Sequence, residues 1–231
     1  MSDSVPGTTA PGAGLRERGK LDKRRRIMEA AREVFIEHGY EQATTREIAA
    51  RAGVSVGTVF VYAKDKRDLL LLIVNGELDA VSAKGQAALD RPGTLVERLL
   101  AYFRLRYRYW ASEPRLARPA LRETFDFLDP EVKHGEEMQR FYSRRPLMLG
   151  QIEQAVRAAQ ADGEVDPTVA ADQVASLLVS LYLIEVRRWL VDARPRLGAG
   201  IERLGVVLDL FMRGIRRGAP APAPTPAADD H

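Results

Sequence analysis

The stretch from Ala43 to Leu70, ATTREIAARAGVSVGTVFVYAKDKRDLL, decides the fold. Thr44 stands three residues before Glu47, the spacing at which a threonine hydroxyl and a glutamate carboxylate satisfy each other's free backbone amides at a helix start. A helix therefore begins near Thr45, and Ile48, Ala49 and Ala52 fall on one face of it at steps of three and four. Gly53 supplies the left-handed backbone that ends this helix, because a glycine adopts it without a Cβ penalty. Ser55 is a natural cap for the next helix and Val59 its inward anchor. Helix, three-residue turn, helix is the spacing of a helix-turn-helix, whose second helix enters the major groove of duplex DNA.

Upstream, Ile27, Ala30, Ala31, Val34 and Phe35 recur at the positions that make one buried face, so a first helix precedes the pair and closes at Gly39. Tyr40 is expected to fold back on its last turn. Charge follows the same division. Residues 15 to 68 hold 13 Lys and Arg against 9 Asp and Glu, whereas residues 69 to 231 hold 22 of each. A positive excess confined to the helix-turn-helix half suits a head that meets phosphates, since phosphate attraction supplies most non-specific affinity for DNA.

Gly53-Val54-Ser55, Gly57-Thr58-Val59-Phe60, Tyr62, Lys66 and Leu69-Leu70 resemble the signature of TetR-family transcriptional regulators. The resemblance is strong over residues 20 to 70; beyond them it rests on the helical layout and on features such as Trp189. Phe60 stands where most members carry tyrosine, and Ala63 where many carry a large aromatic.

Val56, Gly57 and Thr58 form the first turn of the second helix, where a glycine lets the backbone come close, a threonine can hydrogen-bond or touch a thymine methyl, and a valine offers apolar contact; Val61 lies on the same side as Gly57. The resemblance implies that Phe60 and Tyr62 pack on sugars and phosphates, that Lys66 holds a phosphate, and that Thr45 and Arg46 add backbone contacts. Lys23, Arg24, Arg25 and Arg26 are expected to face phosphates from the start of the first helix.

Further along, a fourth helix is expected from Lys66 to about Leu89, followed by helices over Thr94 to Trp110, Arg115 to Leu128, a long one toward Ala161 kinked at Pro146, one from Asp166-Pro167 to near Ala193, and a last one over Ile201 to Arg217. The expected fold is all-α with about nine helices: an N-terminal three-helix helix-turn-helix domain over residues 20–66 and a larger helical effector-binding and dimerisation domain over residues 67–217. Residues 1–19 and the Ala/Pro-rich residues 218–231 read as tails unable to bury a core.

The helix after Pro167 is apolar almost all round and so needs cover on two sides. A second copy is the simplest cover, which predicts a homodimer whose interface uses Leu178, Leu181, Tyr182, Leu204, Leu208 and Phe211, and an operator that is a palindrome. The resemblance implies a small-molecule effector site in the body, for which Phe103, Tyr107, Trp110, Phe125 and Phe141 are the candidate lining, with Phe127 and Tyr142 beside them. Glu123, Asp126 and Glu185 are the acids that would face a cationic ligand, unless arginines pair with them.

With no cysteine and with His38, His134 and His231 scattered, no metal site and no cofactor are expected. No nucleophile, base and orienting partner form a recognisable set, so no catalytic residue is assigned and an all-helical enzyme is the weakest reading. The longest apolar run, Val174 to Ile184, is interrupted by serines and is shorter than the ~20 residues that span a bilayer, which predicts a cytoplasmic protein without membrane contact. The competing binding reading is a DNA-bound scaffold governed by a protein partner instead of a small molecule.

Overall fold

A computed structural model describes residues 11–124 and 135–215, with side chains from residue 16 onward. Among these residues the chain forms eleven helices and no strand. They are α1 (Pro11–His38), α2 (Thr45–Ala52), α3 (Val56–Tyr62), α4 (Lys66–Ala83), α5 (Gly85–Leu89), α6 (Leu95–Ser112), α7 (Pro114–Glu123), α8 (Glu136–Tyr142), α9 (Arg144–Ala161), α10 (Ala171–Leu190) and α11 (Leu197–Arg213). Phe125, Asp126, Phe127, Leu128, His134 and the Ala/Pro tail from residue 218 lie outside the described residues.

Nine expected helices become eleven because two of them break. The fourth breaks at Lys84, next to a close approach: a Cβ on Gly85 would lie 2.7 Å from the Tyr102 ring. The long helix toward Ala161 breaks at Ser143, not at Pro146. Pro146 sits instead in the first turn of α9, where an amide has no intrahelical partner to lose. Asp166 does not cap α10, which starts at Ala171; its carboxylate accepts from the amide and hydroxyl of Thr168 at 2.8 and 2.7 Å, closing a separate turn. At the other end of the chain α1 begins at Pro11, inside the stretch read as a tail, since Leu15 to Arg26 is mostly Arg, Lys, Glu and Leu, all good helix formers.

By its internal contacts the chain divides into two compact units, one of residues 1–80 and 112–144, the other of residues 81–111 and 145–231. In the first unit α1 turns Ile27, Ala31, Val34 and Phe35 inward at complete burial, against Ile48 of α2 and Val59 of α3. Tyr40 folds back as the sequence predicts, its ring centroid 5.4 Å from that of Phe35. Leu69 to Val74 of α4 are buried on every side, each such side chain contributing about 1.5–3 kcal/mol relative to exposure.

The second unit is built around α6, α10 and α11. Phe103 and Tyr182 stack at 4.5 Å with planes 9° apart, the Trp110 indole donates to the Tyr182 hydroxyl at 3.0 Å, and Tyr107 lies 4.9 Å from Trp189. Gly200 lets α11 close on this cluster, since a Cβ there would meet the Tyr107 ring at 2.8 Å and Trp189 at 2.9 Å. Arg106 occupies the same buried face of α6 at 7% exposure, with its guanidinium 4.9 Å from the centre of the Tyr102 ring. Among the described residues no carboxylate pairs with it. A cation over a ring is worth about 0.5–2 kcal/mol, whereas taking an unpaired charge out of water costs about several kcal/mol. Tyr102 alone therefore does not offset the burial of Arg106.

Candidate nucleic-acid interface

The helix-turn-helix is assembled by local bonds the sequence encodes. Thr44 and Glu47 form the reciprocal cap of α2, with the Thr44 amide donating to the Glu47 carboxylate at 3.0 Å and the Glu47 amide donating to the Thr44 hydroxyl at 3.2 Å. The side-chain and backbone hydrogen bonds from Thr44 hold the Glu47 carboxyl below its ordinary range. Gly53 ends α2 in the left-handed region at φ 63°, its amide shared between the carbonyls of Ala49 and Ala50. Ser55 caps α3 by accepting from the Thr58 amide at 3.1 Å, and its hydroxyl bonds that of Thr58 at 2.9 Å. Ile48, Ala49, Ala52 and Val59 all face the core.

The opposite face of α3 is left to the outside. Phe60 is 49% exposed and Val61 75% exposed, two neighbouring large apolar side chains that the first unit does not bury. Gly57 is exposed beside them, and a Cβ placed on it would meet only the Ser55 hydroxyl, at 3.8 Å. Its φ is not positive, so neither sterics nor backbone conformation inside the chain calls for glycine there. A glycine in a helix costs about 1 kcal/mol relative to alanine. The bare position leaves the α3 backbone able to come close to another molecule, the physical use a glycine has beside a base edge or phosphate. Val56 and Thr58 lie half-buried on the first turn of the same helix.

Around this face the residues implied by the resemblance are present, several of them already engaged. Arg46 is exposed with no ion pair among the described residues, and Thr45 is half-buried at the start of α2. The Tyr62 hydroxyl donates to the Lys20 carbonyl at 3.2 Å, which ties α3 to the N-terminal half of α1. The Lys66 ammonium donates to the Glu41 carbonyl at 3.0 Å and stands 4.8 Å over the Tyr40 ring, leaving further donors on the same nitrogen.

The basic run, which lies in the middle of α1, has internal partners, those of Arg24 and Arg26 coming from distant segments of the chain. Arg24 pairs with Glu137 at 2.8 Å, Arg25 with Asp22 at 2.6 Å and Glu29 at 3.2 Å, and Arg26 donates to the carbonyls of Ala52 and Gly53 at the end of α2. Lys23 alone of the four is exposed without a partner among the described residues. A Cβ on Gly53 would meet the Arg26 guanidinium at 2.9 Å, so the cap and the glycine depend on each other.

Away from this face, Phe103, Tyr107 and Trp110 are packed core of the second unit, while Phe141 belongs to α8 in the first unit and Phe125 lies outside the described residues. Open space on α6 is instead a surface groove of about 540 Å³ bounded by Lys84, Arg91, Leu100, Arg104 and Arg108. Of the residues expected at a dimer interface, Leu178, Tyr182, Leu204 and Leu208 are buried within their own chain, and Leu181 and Phe211 are half-buried. The exposed apolar side chains of α10 and α11 are their neighbours Leu177, Ile184, Val206 and Leu210. Glu123 pairs with Arg67 at 2.9 Å, and the buried Glu185 with Arg188 at 2.6 Å and Arg203 at 2.7 Å, so arginines take the place of a cationic ligand at both.

Comparison with known proteins agrees with this geometry. Residues 27–73, which hold α2, α3 and their supports, match the family described as bacterial regulatory proteins, tetR family. The HTH-type transcriptional repressor KstR of Mycolicibacterium smegmatis is 28% identical over 181 residues, covering 76% of this chain and 80% of that one. The crystal structure of Thermus thermophilus FadR, a TetR-family repressor in complex with lauroyl-CoA, is 27% identical with a TM-score of 0.62 over 87% of this chain and 99% of that one. FadR from Bacillus subtilis, solved with stearoyl-CoA, shares the fold at 21% identity and a TM-score of 0.63, over 83% of this chain and 99% of that one. With the capped helix pair, the outward face of α3 and these likenesses in agreement, residues 27–73 form the DNA-binding domain of the tetR family of bacterial regulatory proteins, and the chain is a DNA-binding transcriptional regulator.

Proposed function

We propose that this regulator is a homodimeric repressor that binds a palindromic operator through α3 and is released from it by a small-molecule effector. The outward face of α3 carries the reading: Gly57, Phe60 and Val61 are exposed on a capped helix whose other side is core, which suits insertion into a major groove. Thr45, Arg46, Val56, Thr58, Tyr62 and Lys66 complete the DNA contact set, with Arg46 and Lys66 on phosphates and Val56 and Thr58 on base edges. The reader spans residues 20–66 and the effector-binding and dimerisation body residues 67–217.

Dimerisation is supported by the exposed stripe of Leu177, Ile184, Val206 and Leu210, which recurs at helical spacing and leaves water on apolar surface in a single copy. An acyl thioester is the first effector class to test, since the Thermus relative was solved with lauroyl-CoA. An effector that prefers the conformation unable to bind DNA lowers operator affinity by the ratio of its affinities for the two states. No helix of the described residues is long and apolar enough to cross a membrane, in keeping with action on cytoplasmic DNA.

Footprinting on the DNA flanking the chain's own coding region tests this. Protection of an inverted repeat at moderate salt, relieved by lauroyl-CoA or another small molecule, is the expected result; no preference over random competitor DNA overturns it. Protection that responds only to an added protein would favour the partner-governed scaffold.

A further inference from the structure

Within the second unit, α6 buries side-chain hydrogen-bond donors that meet no acceptor among the described residues. Arg106 is nine-tenths buried, its Nη1 has no acceptor among the described residues, and its neighbour Tyr102 offers it only a ring face and a neutral hydroxyl, which itself donates to Gln151 at 3.0 Å. Arg98 Nε and the Tyr107 hydroxyl, also on α6, and the Ser82 hydroxyl are likewise buried without a partner. Every one of these atoms can donate, and one of them belongs to a full positive charge. Buried arginines are otherwise paired, and Glu185 in the same unit is held by two arginines, so this unit does pair its other buried charge.

We infer that Arg106 is the counter-ion for an anionic group, a carboxylate or a phosphate, carried by an apolar ligand that enters the interior of the second unit. The aromatic surroundings, with Phe103 and Tyr182 stacked beside it, suit the apolar part of such a ligand, and the low-dielectric setting makes the charge pair selective against a neutral analogue of the same shape. This rests on the effector-controlled reading above and narrows it to one ligand charge and one residue.

The test compares the full wild-type chain with Arg106→Met, which keeps length and apolar bulk, and Arg106→Lys, which keeps the charge. Thermal unfolding is followed alone and with palmitate, palmitoyl-CoA or 1-hexadecanol, and binding to the protected DNA is measured on the same preparations. The expected pattern has three parts. Without ligand, Arg106→Met unfolds at the wild-type temperature or above it. At least one of the two anions raises wild-type unfolding by several degrees while the alcohol does not. That rise is lost in Arg106→Met and kept at least in part in Arg106→Lys. Palmitate alone acting identifies a carboxylate, and palmitoyl-CoA alone a phosphate. An Arg106→Met chain that is several degrees less stable without ligand, an anion response equal in both chains, or no anion response in wild type overturns the assignment. If DNA binding survives in those cases only the ligand inference fails; if wild type does not bind DNA, the regulatory reading fails with it.

Discussion

The carboxylate of Asp68 on α4 accepts from the backbone amide of Glu137 at 3.1 Å, and so caps α8 from across the first unit. The same carboxylate accepts from the amides of Met138 at 3.2 Å and Lys64 at 3.1 Å, at only 4% exposure of the residue. Glu137 in turn receives Arg24 of α1 at 2.8 Å and the Asn75 amide of α4 at 2.7 Å. Three helices of the unit that carries α3 thus meet on two buried acids. Asp68→Ala leaves three backbone amides without their charged acceptor and is expected to cost about 2–4 kcal/mol in urea unfolding, with Asp68→Asn losing less because one oxygen remains. A loss below about 0.5 kcal/mol for Asp68→Ala would mean that this cap does not hold α8.

Gly57 separates fold from function more sharply than any other position of α3. Alanine there replaces a first-turn glycine and meets only the Ser55 hydroxyl, at 3.8 Å, so Gly57→Ala is expected to leave the first unit as stable as before or up to about 1 kcal/mol more stable. Operator affinity should nevertheless fall at least about tenfold, because the methyl group would stand on the face of α3 proposed to approach DNA. Lys66→Ala behaves differently. It should weaken matched and scrambled sequences alike and reduce the salt slope by about one. Operator titrations at several salt concentrations check both, and a Gly57→Ala chain with wild-type affinity would move the contact face off α3.

Two residues less than two helical turns apart on α10 distinguish interface from core. Ile184 is 54% exposed and Leu178 fully buried in its own chain. Ile184→Glu is therefore expected to give a monomer with helical content retained, seen as half the mass by light scattering at micromolar concentration. Leu178→Ala should stay dimeric but lose about 2–5 kcal/mol of stability through the cavity it opens. A dimeric Ile184→Glu chain would place the twofold contact elsewhere.

The caps of α2 and α3 were legible because they depend on residues three apart in sequence: Thr44 with Glu47, and Ser55 with Thr58. The all-α class and the buried face of α1 were legible for the same reason, through a period of three to four. What distant chain segments decide was not. Arg26 reads as one more cation in a basic run until the end of α2 arrives beside it with two free carbonyls. On α10 the apolar residues surround the helix, so no periodic signal says that Leu178 and Tyr182 face inward while Leu177 and Ile184 face out. Arg106 did carry a signal, standing four residues from both Tyr102 and Trp110 on an otherwise apolar face of α6.

Buried phenols give the second unit a defined alkaline limit. Burial raises the hydroxyls of Tyr102, Tyr107 and Tyr182 above the ordinary value, helped at Tyr107 by the negative charge of Glu185 and opposed at Tyr102 and Tyr182 by Arg106. The folded chain therefore holds these protons where the unfolded chain releases them. Their contribution is complete below a pH of about 10 and is lost as pH rises toward the folded values, by about 1.4 kcal/mol per pH unit for each phenol. Tyr107→Phe should flatten this fall by one phenol's share. At neutral pH it should be neutral or gain about 1 kcal/mol, because the hydroxyl it deletes is buried with no partner among the described residues. Tyr182→Phe flattens the alkaline fall as well, but strands the Trp110 indole donor that the hydroxyl accepts at 3.0 Å, and should cost about 1–3 kcal/mol at neutral pH. Urea unfolding of the two variants at pH 7 and above pH 10 checks the pair. If Tyr107→Phe proves the more damaging of the two at pH 7, its hydroxyl has a partner in the fold and is not an open donor of the second unit.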